Sequence, residues 1–419
     1  MQDVEPFAVV LCVLALALIA AVFSNRLSDR IGVPTPAIFL VAAAGAAQLF
    51  HGLGTLSIRT DQRIVTVALV VILFDGGMHV GRARLRGSTA AVIWLGVAGT
   101  AVTAAALAGV AHVLFGFGWR PALLLGTALA PTDPAVVFSV LGRRQIEGRT
   151  ATLLEGESGA NDPVAIALMI AILGSGGTGL GAGAAGVGVF ALQMGVGAAV
   201  GLLGGYALHQ AMHRISLPNA TLYPLQTLAG ALLIYGVGGA LNGSGFLAAF
   251  IAGIMVGDLR TPNAGEIKRF CGTLSSLGEV VAFTVLGLSV SLSSVLRDGR
   301  AWTGLALAAL LVLVIRPLLV GAVISRIRLP RGERLFVLWA GLKGAVPMLL
   351  GTYVLTGDRH GVTVPGAERI YDIIFVVVTL SVVIQGGLVP VVARRLQVPM
   401  TDPTDPAPVD SAGDSDPTT

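Results

Sequence analysis

The chain has 419 residues, of which 54% are hydrophobic and 12% charged, and its mean hydropathy is +0.84. A soluble globular domain carries roughly 25% charged residues, so this composition excludes an ordinary soluble fold and points to a chain solvated by lipid. The net charge of +4 does not indicate nucleic-acid binding, because the basic residues lie in short loops between apolar runs, where they act as topology signals.

Apolar segments near the roughly twenty residues needed to cross a bilayer recur along nearly the whole chain. Hydropathy and punctuation predict about thirteen spans, at 7–23, 33–50, 63–80, 88–115, 120–141, 150–173, 186–213, 220–240, 243–257, 267–290, 301–325, 333–356 and 369–394. The first is preceded by Asp3 and Glu5 rather than a basic region, and no small-residue cleavage site follows it. It therefore reads as a retained helix and not a signal peptide. Cys12 and Cys271 lie in or beside apolar segments, which implies no disulfide framework. The fourth span is long enough to require tilt, and the ninth is short.

Lys and Arg residues divide unequally between alternating loops. One side holds 18 of the 27, including Arg82, Arg84 and Arg86, and the other holds 7. The excess side is cytoplasmic by the positive-inside rule, which puts the amino terminus outside and the carboxyl terminus inside an inner membrane. An odd number of spans requires the same.

Two spans are broken by Pro and Gly, at Ala130–Pro134 (APTDP) and Gly341–Pro347 (GLKGAVP). Corresponding spans lie seven apart, so the two halves have opposite orientation. Paired broken helices in inverted repeats mark the midplane site of a secondary transporter. The fold class is thus an all-α polytopic membrane protein with two inverted repeats and two broken crossing helices, its membrane domain covering 1–397. The stretch 174–186 contains a literal G-x-G-x-x-G but follows a helix, so it reads as a flexible loop. Residues 398–419 read as a tail, acidic and Pro-rich from Asp402 onward, and are expected to be disordered.

Ionisable groups at membrane depth are functional candidates by default. The interior acids are Asp75, Asp133, Glu155, Glu157, Asp162 and Glu279, and the interior bases are Arg316 and Lys343. On a helix Glu155, Ser158 and Asp162 share one face, and Glu157 pairs with Asn161 at i, i+4. Asp162 precedes Pro163, where a missing N–H interrupts the ladder. Desolvation disfavours a bare carboxylate, so Asp162 takes either a proton or a cation, and that competition is the simplest basis for antiport. A hard alkali ion calls for oxygen ligands from Asp162, Glu157, Ser158 and a carbonyl or hydroxyl near Thr132. Asp133 and Lys343 suit compensation of the amino- and carboxyl-terminal helix ends at the breaks, and Glu157 is the candidate partner of Arg316.

Plainer readings apply to several of these. The Glu157–Arg316 pair serves structure at least as readily as ligation. Asp75 reads as a cytoplasmic cap, His79 as an interfacial residue and Glu279 as an interhelical hydrogen-bonding group. Glu155 is either an accessory acid or part of a water funnel.

At these residues the sequence resembles the cation:proton antiporter-1 family, the NhaP-type exchangers, over about residues 5–397. The matching elements are Phe74-Asp75-Gly76-Gly77, Thr132-Asp133-Pro134, Glu157-Ser158 with Asn161-Asp162-Pro163, Arg316-Pro317 and Gly341 to Pro347. The resemblance implies that Asp162 carries proton and cation, that Thr132, Glu157 and Ser158 complete the site, and that Glu157, Asn161 and Arg316 form a supporting network. It implies a homodimer in which core spans over about 88–173 and 301–395 move against dimerisation spans over about 7–80 and 186–290. LLEGESGANDPVA and LFDGGM look most like the potassium/proton branch, which often adds a cytoplasmic regulatory domain where this sequence continues as the acidic tail. Lys343 stands where the family pattern usually has Arg.

The function expected is exchange of protons for K⁺ or Na⁺. The competing classes are a cation channel, disfavoured because selectivity filters use symmetric rings, and an intramembrane aspartate-dependent enzyme. No cofactor and no metal beyond the alkali cation are expected, since the chain lacks a His/Cys cluster. The expected partners are the cation, protons and membrane lipid.

Overall fold

The structure is a computed structural model that describes residues 19, 23, 33–50, 57–80, 92–141, 145–146, 148–175, 180–259, 261–325, 327, 329–357 and 364–401. The first predicted span apart from residues 19 and 23, Cys12, the Arg82 to Arg86 run and the chain beyond residue 401 lie outside the described residues. Each of the other twelve predicted spans corresponds to a helix or to a pair of half-helices.

The helices are α1 (Thr35–Leu49), α2 (Ile58–Val80), α3 (Thr100–Phe115), α4 (Trp119–Leu129), α5 (Ala135–Leu141), α6 (Gly148–Gly174) and α7 (Leu180–Arg214). They continue as α8 (Leu222–Ala240), α9 (Gly245–Asp258), α10 (Ala264–Leu288), the single turn α11 (Leu292–Val295) and α12 (Arg300–Leu310). The last are α13 (Arg316–Ile324), α14 (Arg331–Trp339), α15 (Ala345–Thr356), α16 (Ala367–Leu380) and α17 (Gly387–Arg395). Three π-helical turns are spliced into this series: Trp94–Gly99 leads into α3, Leu311–Ile315 joins α12 to α13, and Ser381–Gly386 joins α16 to α17. Among the described residues, six rods are long and apolar enough to cross a membrane, including Ile58–Val80, Arg300–Ile324 and Ala367–Arg395.

Several boundaries differ from those read in the sequence. The α2 helix starts at Ile58 and so takes in Arg59, Asp61 and Arg63. The G-x-G-x-x-G stretch is no loop, since Gly181, Gly183 and Gly186 fall in the first turns of α7. Small residues are tolerated in membrane helices where their neighbours pack closely. The segment predicted as disordered from residue 398 stays ordered for four residues. Val398 is buried, and strand β2 (Met400–Thr401) pairs antiparallel with β1 (Gln145–Ile146). That short ladder, an exception to the all-α expectation, ties the end of α17 to the α5–α6 connection.

The helices pack in two neighbourhoods that interleave along the sequence. Helices α1, α2, α7, α8, α9 and α10 contact one another, with α2 between α9 and α10. The crossing of α2 with α9 is close because Gly253 lies against the Phe74 carbonyl, as small residues at membrane crossings permit. Helices α3, α4, α6, α12, α15 and α16 form the other neighbourhood, around the two breaks.

Candidate functional site

Each helix break exposes backbone groups that hydrocarbon cannot satisfy. At the first, Pro131 and Pro134 prevent α4 from running on into α5. The carbonyls of Ala130 and Pro131 accept from the Lys343 ammonium at 3.1 and 2.8 Å. The Asp133 carboxylate accepts from the Ala135 N–H at 2.9 Å, capping α5. Its own N–H donates to the Leu342 carbonyl at 2.8 Å, so the two breaks are joined backbone to backbone. Asp133 also lies against Gly344, the residue that opens α15, and any Cβ at that position would collide with the carboxylate. One acid therefore faces the amino-terminal ends of both inner half-helices, where the helix dipole favours negative charge.

At the second break, the final carbonyls of α14 are taken by two side chains. Arg316 donates through Nε to Leu338 O at 3.0 Å and through Nη2 to Val337 O at 3.2 Å. Gln385 Nε2 donates to the Trp339 carbonyl. The other face of the guanidinium grips Glu157 with two bonds, 2.8 Å to Oε1 and 3.2 Å to Oε2. Lys343 thus covers only the first break's carboxyl-terminal end. The carboxyl-terminal end of α14 is already taken by Arg316 and Gln385.

Helix α6 runs through Pro163 without ending, and it lays its polar face on the first break. Ser158 donates to the Thr132 carbonyl at 2.5 Å, and Asn161 Nδ2 to the Thr132 hydroxyl at 2.8 Å. Asp162 is 8% exposed. Among the described residues its carboxylate has no hydrogen-bond or ion-pair partner, while Lys343 and Asp133 lie within electrostatic reach. The Asn161 side-chain oxygen is likewise buried without a partner among those residues. Three acceptor oxygens, two of Asp162 and one of Asn161, therefore stand uncommitted among the described residues beside Ser158 and Thr132, as a hard cation or a proton requires. Among the described residues there is no group of three or more His, Cys, Asp or Glu able to hold a metal ion.

All eight residues singled out in the sequence thus meet around the crossing. Other expected roles change. Asp75, read as a cap, is buried in the last turns of α2, with His79 Nδ1 2.9 Å from its backbone carbonyl and 3.7 Å from its Oδ1. Packing of α10 on α2 encloses it before the helix ends. Glu279, read as an interhelical hydrogen-bonding group, has no such bond among the described residues and lies within electrostatic reach of Asp133 and Asp75. Glu155 is half-buried. The sequence reading missed Ser381 and Gln385, although two polar side chains at i, i+4 in an apolar span are a recognisable signal. It also missed Asp372 as an interior acid; Asp372 is buried and paired with Arg300 at 2.6 Å.

The family model for "Sodium/hydrogen exchanger, transmembrane" matches residues 14–395. The chain belongs to the sodium/hydrogen exchanger family. Among curated relatives, it is 33% identical to a K(+)/H(+) antiporter NhaP of Alkalimonas amylolytica over 97% of this chain and 71% of that protein. It is 32% identical to a K(+)/H(+) antiporter NhaP2 of Shewanella sp. strain MR-4, over 95% and 68% respectively. A Na(+)/H(+) antiporter NhaP of Pseudomonas aeruginosa is 25% identical, over 88% and 92%. The solved structure of the sodium proton antiporter MjNhaP1 from Methanocaldococcus jannaschii superposes with a TM-score of 0.78 at 22% identity, covering 93% of this exchanger and 99% of that chain. The shared architecture is the antiporter fold expected from the two broken helices.

Proposed function

We propose that the protein exchanges protons for a monovalent alkali cation across the inner membrane by alternating access, with Asp162 binding the two in turn. The observation that carries this reading is the buried Asp162 carboxylate without a partner among the described residues. Beside it on α6, the Ser158 hydroxyl and the Asn161 amide nitrogen are both engaged by Thr132. A lone carboxylate in low dielectric holds one proton or one cation, and not both. Ser158, Glu157 and the Thr132 carbonyl and hydroxyl complete the oxygen-rich surroundings, and Asn161, Asp133, Arg316 and Lys343 hold the breaks in register.

Alternating access requires one group of helices to move against another. Helices over about 88–173 and 301–395 form the mobile core in this reading, and those over about 7–80 and 186–290 the scaffold through which two copies dimerise. The positive-inside bias supports an external amino terminus and a cytoplasmic carboxyl terminus. The identity of the more similar relatives, named as K(+)/H(+) antiporters, favours K⁺ over Na⁺. Neither family nor relatives support a channel or an intramembrane enzyme.

The test uses everted vesicles holding a preformed pH gradient. Adding K⁺ or Na⁺ collapses the gradient with the wild-type protein and leaves it intact with Asp162→Asn. Wild-type exchange by Asp162→Asn would overturn the site assignment, and no cation response in wild-type vesicles across pH 6–9 would overturn the function.

A further inference from the structure

The second break is held from a direction that no family motif in the sequence covers. Lys343 N–H donates to Ser381 Oγ at 3.0 Å, Ser381 O–H donates to Gln385 Oε1 at 2.9 Å, and Gln385 Nε2 donates to the Trp339 carbonyl. The two side chains thereby bridge the gap between α14 and α15, satisfying one orphan donor and one orphan acceptor. Each group in this chain has a fixed role. Ser381 accepts and donates once each, and its O–H turns the Gln385 amide so that the NH₂ faces Trp339. Both side chains are buried.

The position of the pair is set by the π turn Ser381–Gly386, an element common at functional sites because it re-aims side chains within a helix. Gly386 at its end packs on the Leu342 side chain, so the turn rests directly on the broken segment.

We propose that Ser381 and Gln385 are a positioning pair that sets the cation affinity of the site through Lys343. This rests on the exchange reading above. The pair is not hydrogen-bonded to Asp162, Asn161 or Thr132, and acts through a short covalent and hydrogen-bonded path. It fixes the Lys343 backbone, whose ammonium grips the Ala130 and Pro131 carbonyls. The next residue, Thr132, carries both acceptors that lock α6 in place. Loss of the pair lets the second break shift to find other partners, and that shift reaches the oxygen set beside Asp162. A pair that only stabilised the fold would lower the amount of active protein and leave the affinity of the survivors unchanged.

The experiment is cation-driven proton flux by the full chain in proteoliposomes, with the maximal rate normalised to inserted protein and the apparent KM for K⁺ and Na⁺ measured for each variant. Ser381→Ala and Gln385→Met, which keeps volume but removes both hydrogen bonds, each raise the apparent KM roughly three- to tenfold, the effect of losing a buried hydrogen bond. Maximal rates stay within about twofold. The double variant goes no further than the more affected single, because the two act as a unit. Ser381→Thr, which retains the hydroxyl, restores the wild-type KM. An unchanged KM in both single variants overturns the inference whatever the maximal rates do. Should Ser381→Ala fail to insert, Gln385→Met and Ser381→Thr decide the question in the same way. Absence of flux in the wild type would instead sink the exchange reading itself.

Discussion

Arg316 and Glu157, 159 residues apart in sequence, form a two-pronged ion pair in which the guanidinium also accepts the role of a helix cap, closing the last carbonyls of α14. Both side chains are buried. The pair therefore couples α6, which carries Asp162, to the second break by charge, while Thr132 couples α6 to the first by hydrogen bonds.

Removing one member of this pair leaves the other charge buried and alone. Glu157→Gln should destabilise the protein by roughly 3–5 kcal/mol. Arg316→Lys, which keeps the charge but loses the planar fork, should fall between wild type and Glu157→Gln. Thermal unfolding of the detergent-solubilised protein checks both, and equal melting temperatures for wild type and Glu157→Gln would contradict the pairing.

Asp162→Asn should behave in the opposite sense. Its carboxylate has no protein partner to lose among the described residues, so neutralising it removes a desolvation penalty. Stability is expected to hold or rise, by on the order of 1 kcal/mol, in the same protein that has lost exchange. A melting temperature several degrees below wild type would show that Asp162 is a structural acid.

The glycines of the second break leave room for charged groups. A methyl at Gly344 meets the Asp133 carboxylate, and one at Gly341 meets the Arg316 guanidinium. Gly344→Ala and Gly341→Ala should each cost about 1–3 kcal/mol through overpacking and sharply reduce the exchange rate. Gly109, inside α3 with open space around it, is the control. Gly109→Ala should be neutral or stabilise by about 0.5–1 kcal/mol.

Thr150 donates a hydrogen bond to Glu333, joining the start of α6 to the start of α14. A double-mutant cycle with Thr150→Val and Glu333→Gln should return a coupling of about 1.5–3 kcal/mol, the range for a bond to a charged acceptor. A coupling near zero would mean that the ends of these helices are held by other contacts.

Much of this architecture was legible in the sequence because lipid imposes strict rules. Charge is expensive at depth, so Asp162, Glu157, Arg316 and Lys343 stand out against the apolar runs, and Pro131, Pro134 and the Gly341–Gly344 pair mark the breaks. What stayed hidden depends on neighbours far away in the chain. Ser381 and Gln385 look like ordinary interhelical glue until the break they bridge lies beside them. Asp75 looks like a helix end until α10 encloses it, and Met400–Thr401 looks like tail until Gln145–Ile146 supplies the missing backbone partners.

The amino-acid sequence by itself determined that the chain spans a membrane, that two of its helices are broken, and that several ionisable groups lie within apolar runs, because hydrophobic length and the cost of buried charge are local properties. Only the tertiary structure decided which of those charges are spent on one another. Arg316 is committed to Glu157 and α14, Lys343 and Asp133 to the first break, and the Asp162 carboxylate is left over among the described residues. That assignment depends on distances between segments, which no local pattern encodes.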